Sequence, residues 1–205
     1  LTGDGAGTPV DLMRGVDADC PTVPFGGEED FTVSPDGEWL VFTLAPGGGM
    51  NQQLYLVRPD GGEPRRITYS SHGPRSLGWR PDGALTYISG HGGSPQVWIN
   101  PLDGSEPRPV SDFAQGVQAY WWSPDGTLLA VLAPGQEPEA AEVSEEGETE
   151  DPDRADWTVF DRLEHPEQYH QVWLVEVGRD GPAPGAEPRQ LTSQPWHPSH
   201  VAWSP

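Results

Sequence analysis

The sequence contains no lysine and a single cysteine, and no apolar run in it approaches the length of a membrane span. One cysteine, Cys20, can form neither an intrachain disulfide nor a thiolate metal cluster. The chain has 11 basic residues, all arginine, and 32 aspartates and glutamates, which gives a net charge of -21. Because phosphate backbones and anionic membranes need clustered basic residues, we expect neither nucleic acid nor a membrane as a partner.

Motifs that carry catalysis or hold metals are also missing. No Gly-x-Ser-x-Gly nucleophile elbow occurs in the 205 residues. The acidic stretch 151–156 lacks the central glycine and terminal glutamate of a calcium-binding EF-hand loop. His197 and His200 flank Pro198, which favours extended backbone, and no third zinc ligand lies nearby in the sequence. We therefore expect no catalytic residue, no metal and no cofactor in this chain.

Glycine, proline and tryptophan are abundant instead. The chain has 26 glycines and 24 prolines, which indicates either disorder or many tight turns. Nine tryptophans argue against disorder, since disordered chains are poor in aromatic residues. The composition thus favours an all-β protein of short strands joined by turns.

A repeat of about 43 residues runs through the chain. Its first marker is an x-Pro-Asp-Gly turn, and the turns begin at positions 34, 80 and 123, which are 46 and 43 residues apart. A Gln-apolar-aromatic series follows each turn and begins at positions 53, 96 and 171. A Pro-Arg-x-apolar-Thr/Ser series closes each unit and ends at positions 68, 111 and 192. Each unit therefore contains four short strands.

Four strands in about 43 residues, repeated in tandem, are typical of propeller blades. We predict a partial β-propeller of four-stranded antiparallel blades, with about three complete blades and flanking strands. The predicted divisions are 1–28, the end of a preceding blade and a linker; 29–74, 75–117 and 118–198, the blades; and 199–205, the first strand of a following blade. Since propellers close with four or more blades, we expect open ends with unpaired strand edges and self-association of this stretch.

The turn residues have predictable roles. Proline presets φ, aspartate bonds the backbone of its own turn, and glycine accepts a positive φ. The residues assigned to these turns are Pro35, Asp36, Gly37, Pro81, Asp82, Gly83, Pro124, Asp125 and Gly126. We expect the aromatic residues at fixed phase to pack between adjacent blades: Trp79, Trp122 and Trp203 before the turns, and Tyr55, Trp98 and Trp173 on the third strand.

An acidic insertion at 136–170 interrupts the third blade. It contains 13 acidic residues and two arginines. Its first part shows no apolar periodicity, so the sequence predicts a solvated loop. The alternative hypothesis is that the insertion attracts the positive amino terminus of a peptide.

Two segments resemble a known family, the prolyl oligopeptidase family of serine peptidases, in its acylaminoacyl-peptidase and dipeptidyl-peptidase-like branch. Residues 17–31 read Asp-Ala-Asp-Cys-Pro-Thr-Val-Pro-Phe-Gly-Gly-Glu-Glu-Asp-Phe and are similar to the segment that leads into a blade in those peptidases. The second segment is Asp161, Arg162 and Leu163, after the acidic stretch. The residues after Leu163 depart from the aromatic-Arg continuation common in that family, which leaves the branch and its substrate preference open.

The resemblance implies a two-domain serine peptidase in which a propeller covers an α/β-hydrolase domain and admits short peptides. The expected partners are then that hydrolase domain and short peptides, and the expected location is cytoplasmic. Glu28, Glu29 and Asp30 precede a channel-lining first strand and are candidates to contact a peptide amine. The competing hypothesis is a TolB-like propeller without enzymatic activity that acts as a protein-interaction module.

Overall fold

Three antiparallel sheets follow one another along the chain in the computed structural model. The structure describes residues 31–46, 51–69, 71–135, 169–178, 181–182, 185, 187–194 and 198–204. The first sheet contains strands β1 (Phe31–Val33), β2 (Leu40–Leu44), β3 (Gln53–Val57) and β4 (Arg65–Arg66), paired in that order. The second contains β5 (Arg75–Trp79), β6 (Leu85–Ser89), β7 (Gln96–Asn100) and β8 (Arg108–Pro109), again in chain order.

The third sheet departs from the predicted four strands. It contains β9 (Ala119–Trp122), β10 (Leu128–Pro134), β11 (His170–Gly178), β12 (Gly181–Pro182) and β13 (Arg189–Gln190). β11 is long enough to pair with two short strands, β13 near its beginning and β12 at its end. The outer position of this sheet is therefore shared by two strands of two residues each.

The three x-Pro-Asp-Gly segments connect the first and second strands of the sheets. Gly37, Gly83 and Gly126 have φ values of 72°, 89° and 70°, which favour glycine. In the third turn the Ser123 hydroxyl donates to Asp125 Oδ1 at 2.6 Å, and the backbone N–H of Thr127 donates to the same oxygen at 3.1 Å. These donors lower the pKa of Asp125 to about 2, the Ser123 bond contributing most.

The other two turn aspartates show the same direction. The hydroxyl of Ser34 holds the pKa of Asp36 below its ordinary value, with a smaller effect from the backbone N–H of Glu38. Burial raises the pKa of Asp82, but hydrogen bonds from Arg80 and Ala84, with the charge of Arg80, leave it lowered overall. Each turn is thus stabilised by an ionised carboxylate.

A glutamine and a hydroxyl side chain join the third and fourth strands of every sheet, a motif that we call the glutamine bracket. In the second sheet the N–H of Val97 donates to Ser111 Oγ at 2.9 Å, and Ser111 Oγ donates to Gln96 Oε1 at 2.7 Å. The equivalent pairs are Gln53 with Thr68 and Gln171 with Thr192. The bracket satisfies a backbone donor just where the short fourth strand ends.

Two apolar clusters lie between successive sheets, so the sheets contact each other through their faces. One joins the first sheet to the second and includes Val41, Leu54, Leu85 and Tyr87. The other joins the second to the third, and its fully buried members include the residues Ile88, Val97, Ile99, Leu129 and Val131.

Four of the six aromatic residues at fixed phase take part in this packing between the described sheets. Trp79 and Trp98 pack against the first cluster, and Trp122 and Trp173 belong to the second. Tyr55 is buried on the face of the first sheet that points away from the second. Successive strand residues face opposite sides of a sheet. A single aromatic residue on a strand therefore packs at one of the two junctions of that sheet.

Residues 198–204 have no regular secondary structure, although the sequence predicts a strand at 199–205. They lie against the first strand of the third sheet, where Trp203 Nε1 donates to the carbonyl oxygen of Trp121 at 3.3 Å. A strand requires a continuous ladder of backbone bonds, and this side-chain bond does not provide one. In the described part of the chain, no helix is long and apolar enough to cross a membrane.

Candidate functional site

The first strands of the three sheets, β1, β5 and β9, form a surface that we call the inner wall. Each is an edge strand that pairs with one neighbour, and β1 and β5 lie side by side. In a propeller such first strands surround the central axis. The inner wall is therefore the surface on which a ligand entering along that axis would lie.

A cleft of about 440 Å³ lies along the inner wall between the second and third sheets. Four of its lining residues are the tryptophans Trp79, Trp121, Trp122 and Trp203. Trp121 points away from the cluster that holds its neighbour Trp122, because successive strand residues face opposite sides. The ring of His200 meets Trp121 edge-on, with the centroids 5.8 Å apart.

Tyr120 fixes the geometry at the centre of this cleft. Its phenol donates to the carbonyl oxygen of Ser76 at 2.8 Å and lies 2.9 Å from Thr86 Oγ1. Burial raises the pKa of Tyr120, against a smaller lowering by the Thr86 bond, so the phenol stays neutral. A Cβ atom at Gly78 would lie 3.0 Å from the phenol oxygen, so a larger residue there would displace Tyr120.

The backbone of β5 is distorted at the same point. Its pairing with β6 shifts register between Arg75 and Gly78, and Ser76 has a φ of 54°, unusual for a residue other than glycine. The shift is a β-bulge, which turns the Ser76 carbonyl toward Tyr120. Bulges often re-aim groups at functional surfaces.

Two arginines beside the inner wall hold the sheets together. Arg75 donates to the carbonyl oxygens of Gln118 and Val117 at 2.9 and 3.0 Å. Arg80 donates to the carbonyl oxygen of Gly178 at 3.1 Å, and its guanidinium carbon lies 5.8 Å from the ring centroid of Trp122. These bonds engage both guanidinium groups in structure.

The lining of the cleft is mostly aromatic. Its lining provides indole and phenol rings and the hydroxyl of Ser76, and it includes no histidine and no carboxylate. Within the described ranges, no group of three or more His, Cys, Asp or Glu side chains lies close enough to hold a metal ion. The arrangement therefore supports contacts with apolar and aromatic groups of a ligand.

The residues predicted from the sequence fall into two groups, those outside the described residues and those in the turns. Glu28, Glu29 and Asp30 lie outside the described residues, as do Asp161, Arg162 and Leu163 and most of the insertion. The nine turn residues lie at the ends of the first strands, in three separate turns. They do not converge on one point.

Sequence reasoning missed Tyr120 and Trp121 as wall residues, and it missed the bulge at Ser76. The signal for Trp121 was available: two adjacent tryptophans on one strand cannot both face the same cluster. Nothing in the sequence marks the bulge, since Ser76 is a residue type that rarely adopts a positive φ.

Comparisons with known proteins support the fold. No model of a protein family matches the chain, and no curated protein matches it. Among solved structures it is similar to TolB from Acinetobacter baumannii, with a TM-score of 0.50 and 19% identity over 82% of this chain and 33% of TolB. The chain thus spans about a third of that relative.

Two peptidase structures also match. The β-propeller domain of the Trilobed protease from Pyrococcus furiosus has a TM-score of 0.48 and 14% identity, over 82% of this chain and 44% of that one. The Pyrococcus horikoshii acylaminoacyl peptidase has a TM-score of 0.47 and 12% identity, over 80% and 24%. The three antiparallel sheets, together with the similarity to TolB, confirm the predicted all-β partial β-propeller. The chain is similar both to TolB and to peptidase structures, and these similarities do not distinguish between the two classes.

Proposed function

We propose that this chain is the propeller portion of a prolyl-oligopeptidase-type serine peptidase, where it gates and helps to recognise short peptides. The observation that carries the proposal is the aromatic cleft of the inner wall, which offers binding surface without a nucleophile. The resemblance of residues 17–31 and 161–163 to that family supports it. Bond cleavage is assigned to a hydrolase domain, the expected partner, which would carry the Gly-x-Ser-x-Gly elbow.

The inner wall can recognise a peptide in two ways. Indole rings such as those of Trp121 and Trp203 contact apolar side chains. The free edge of β9 can offer backbone donors and acceptors to an extended peptide. The net charge of -21 attracts a positive amino terminus and so favours peptides with a free amine.

The test begins with the intact protein. We expect it to hydrolyse acyl-peptide and aminoacyl chromogenic substrates, and to lose that activity when the elbow serine is replaced. Replacing Trp121 with alanine should raise KM for peptides of several residues about three- to tenfold and leave single aminoacyl substrates little changed. Leu191, 46% exposed and remote from the inner wall, provides the matched control as Leu191→Ala.

The absence of hydrolysis, together with no elbow in the parent reading frame, would overturn the peptidase assignment. A propeller that acts as a protein-interaction module is then the remaining hypothesis, with partner capture as its test. Equal effects of Trp121→Ala on short and long substrates would leave a peptidase but remove the inner wall from recognition.

A further inference from the structure

A second cleft lies away from the inner wall, between the first two sheets, and we call it the first inter-sheet cleft. Its volume is about 410 Å³, and its lining includes Tyr69, Tyr87, Trp98 and Glu106. Tyr69 follows the fourth strand of the first sheet, and Tyr87 and Trp98 lie opposite each other on β6 and β7. The proposed peptide gating makes no use of this cleft.

From this arrangement we infer that the first inter-sheet cleft binds a guanidinium group, such as an arginine side chain of a peptide or protein, between aromatic rings and the carboxylate of Glu106. Planar guanidinium ions stack on aromatic faces and pair with carboxylates. The inference does not depend on the peptidase proposal.

The aromatic surfaces of the cleft are available. Tyr69 is 78% exposed, and the indole of Trp98 is partly exposed. Trp98 is held in place because its Nε1 donates to the carbonyl oxygen of Ser89 at 3.2 Å and its ring meets His91 edge-on. Burial raises the pKa of Tyr87 to about 12, so its ring remains a neutral phenol. A cation entering the cleft therefore meets the exposed ring of Tyr69 and the fixed, partly exposed indole of Trp98, while Tyr87 is only 4% exposed.

The structure already contains one such contact. The guanidinium carbon of Arg66 lies 4.4 Å from the ring centroid of Tyr69, within the usual range for a cation–π interaction. Arg66 is held there by a bond from its Nε to the carbonyl oxygen of Thr68 at 2.7 Å. This contact shows that a guanidinium fits against the ring of Tyr69, and 78% of the residue's surface remains exposed.

Glu106 is the group of the cleft that attracts a cation, while the guanidinium of Arg66 beside Tyr69 opposes it. Among the described residues that line it there are one carboxylate, Glu106, two histidines, His72 and His91, and no arginine. Glu106 is exposed, and Pro107 after it restricts the backbone at this point. The chain as a whole carries a net charge of -21, which raises the local concentration of cations.

The junction between the second and third sheets provides an internal comparison. A cleft of about 420 Å³ there is lined by the equivalent Trp173 and by Glu187, which precedes a proline as Glu106 does. Phe113, however, meets the ring of Trp173 edge-on at 5.6 Å, and Trp173 is only 7% exposed. The second cleft has two carboxylates, Asp112 and Glu187, but no open indole, so we assign the guanidinium site to the first cleft alone.

The experiment is a calorimetric titration of the intact protein with N-acetyl-arginine amide, compared with its neutral isostere N-acetyl-citrulline amide. We expect the arginine compound to bind about tenfold more tightly than the citrulline compound. Glu106→Gln should weaken arginine binding about three- to fivefold, while Glu187→Gln leaves it unchanged. Both glutamates are exposed, so neither change disturbs the core.

A third variant separates stacking from simple charge attraction. Arg66→Gln reproduces Gln190 of the third sheet, whose Nε2 makes the same bond to the carbonyl oxygen of Thr192 at 2.6 Å. Because it removes a competing guanidinium from Tyr69, we expect it to tighten arginine binding about two- to threefold. Equal binding of citrulline, equal effects of the two glutamate variants, or no detectable arginine binding would each overturn the inference.

Discussion

The glutamine bracket shows how a single hydroxyl can determine where a strand ends. Ser111 is 5% exposed and accepts from the N–H of Val97 while donating to Gln96. Gln96 in turn bonds the backbone of Phe113 twice, through its Oε1 and its Nε2. One buried hydroxyl and one amide side chain therefore satisfy backbone groups that β8, with only two residues, cannot pair.

Replacing Ser111 with alanine should lower the free energy of unfolding by about 1–3 kcal/mol, because it leaves the N–H of Val97 buried without its acceptor. Urea denaturation of the intact protein measures the change. Ser105→Ala is the control, since that hydroxyl is exposed and bonds only within its own turn, to Asp103. A similar midpoint for the two variants would contradict the structural role of the bracket.

Single residues also show the limit of sequence reasoning. The sequence indicates both series that form the bracket, Gln at the third strand and Thr or Ser after the fourth. It does not indicate that they bond each other, since that pairing depends on the register of two strands that meet only in the folded sheet. Trp121 is different, because the sequence shows two adjacent tryptophans on one strand, and these must face opposite sides.

At the scale of elements, the three turns have the same backbone but different surroundings. A Cβ atom at Gly37 would meet no other atom within 4 Å, whereas one at Gly126 would lie 3.2 Å from Arg80 Cγ and from Pro81 Cδ. Arg80 is held by its bonds to Gly178 and Asp82 and cannot move freely. The third turn therefore packs against the second sheet, while the first is open.

Gly37→Ala should cost about 1–2 kcal/mol of stability, since its φ of 72° is unfavourable for alanine. Gly126→Ala should cost at least about 1 kcal/mol more, because the methyl group overlaps Arg80 and Pro81. Thermal unfolding of the two variants provides the comparison. Equal losses would show that Arg80 relaxes and that the contact between turn and sheet has little weight.

The number and order of these elements could be predicted more fully than their lengths. The x-Pro-Asp-Gly turns mark the first hairpin of each unit, and the sheets follow them in chain order. The fifth strand of the third sheet, β12, has no marker of its own, since Gly181–Pro182 resembles any loop. Two residues pair there only because β11 extends to Gly178.

At the scale of the molecule, three sheets do not close a ring, which needs four to eight blades. Successive described sheets meet through their faces, and the face of the first sheet that points away from the second has no described sheet against it. Phe31 and Val33 are 56% and 47% exposed on the face of the first sheet that points away from the second. They are among the few large apolar side chains exposed in the described residues.

We therefore expect a polypeptide limited to residues 1–205 to self-associate, because Phe31 and Val33 lose contact with water when two copies meet. Sedimentation velocity over a range of concentrations measures this. Combining Phe31→Ser with Val33→Thr should shift the population toward monomer, while Tyr69→Ser, at a residue that is 78% exposed elsewhere, should not. A sharp, reversible thermal transition from a strictly monomeric sample would contradict the prediction.

The pairing of β10 and β11 has a consequence for engineering. The two strands pair over seven residues up to Pro134 and His170, and the N–H of Gly135 then donates to the carbonyl oxygen of Tyr169 at 3.0 Å. The two strand ends are thus held a few ångströms apart, and the entropic cost of a longer connection between them grows only slowly with its length. This site could host a grafted reporter domain whose own termini are close together, with the blade left intact.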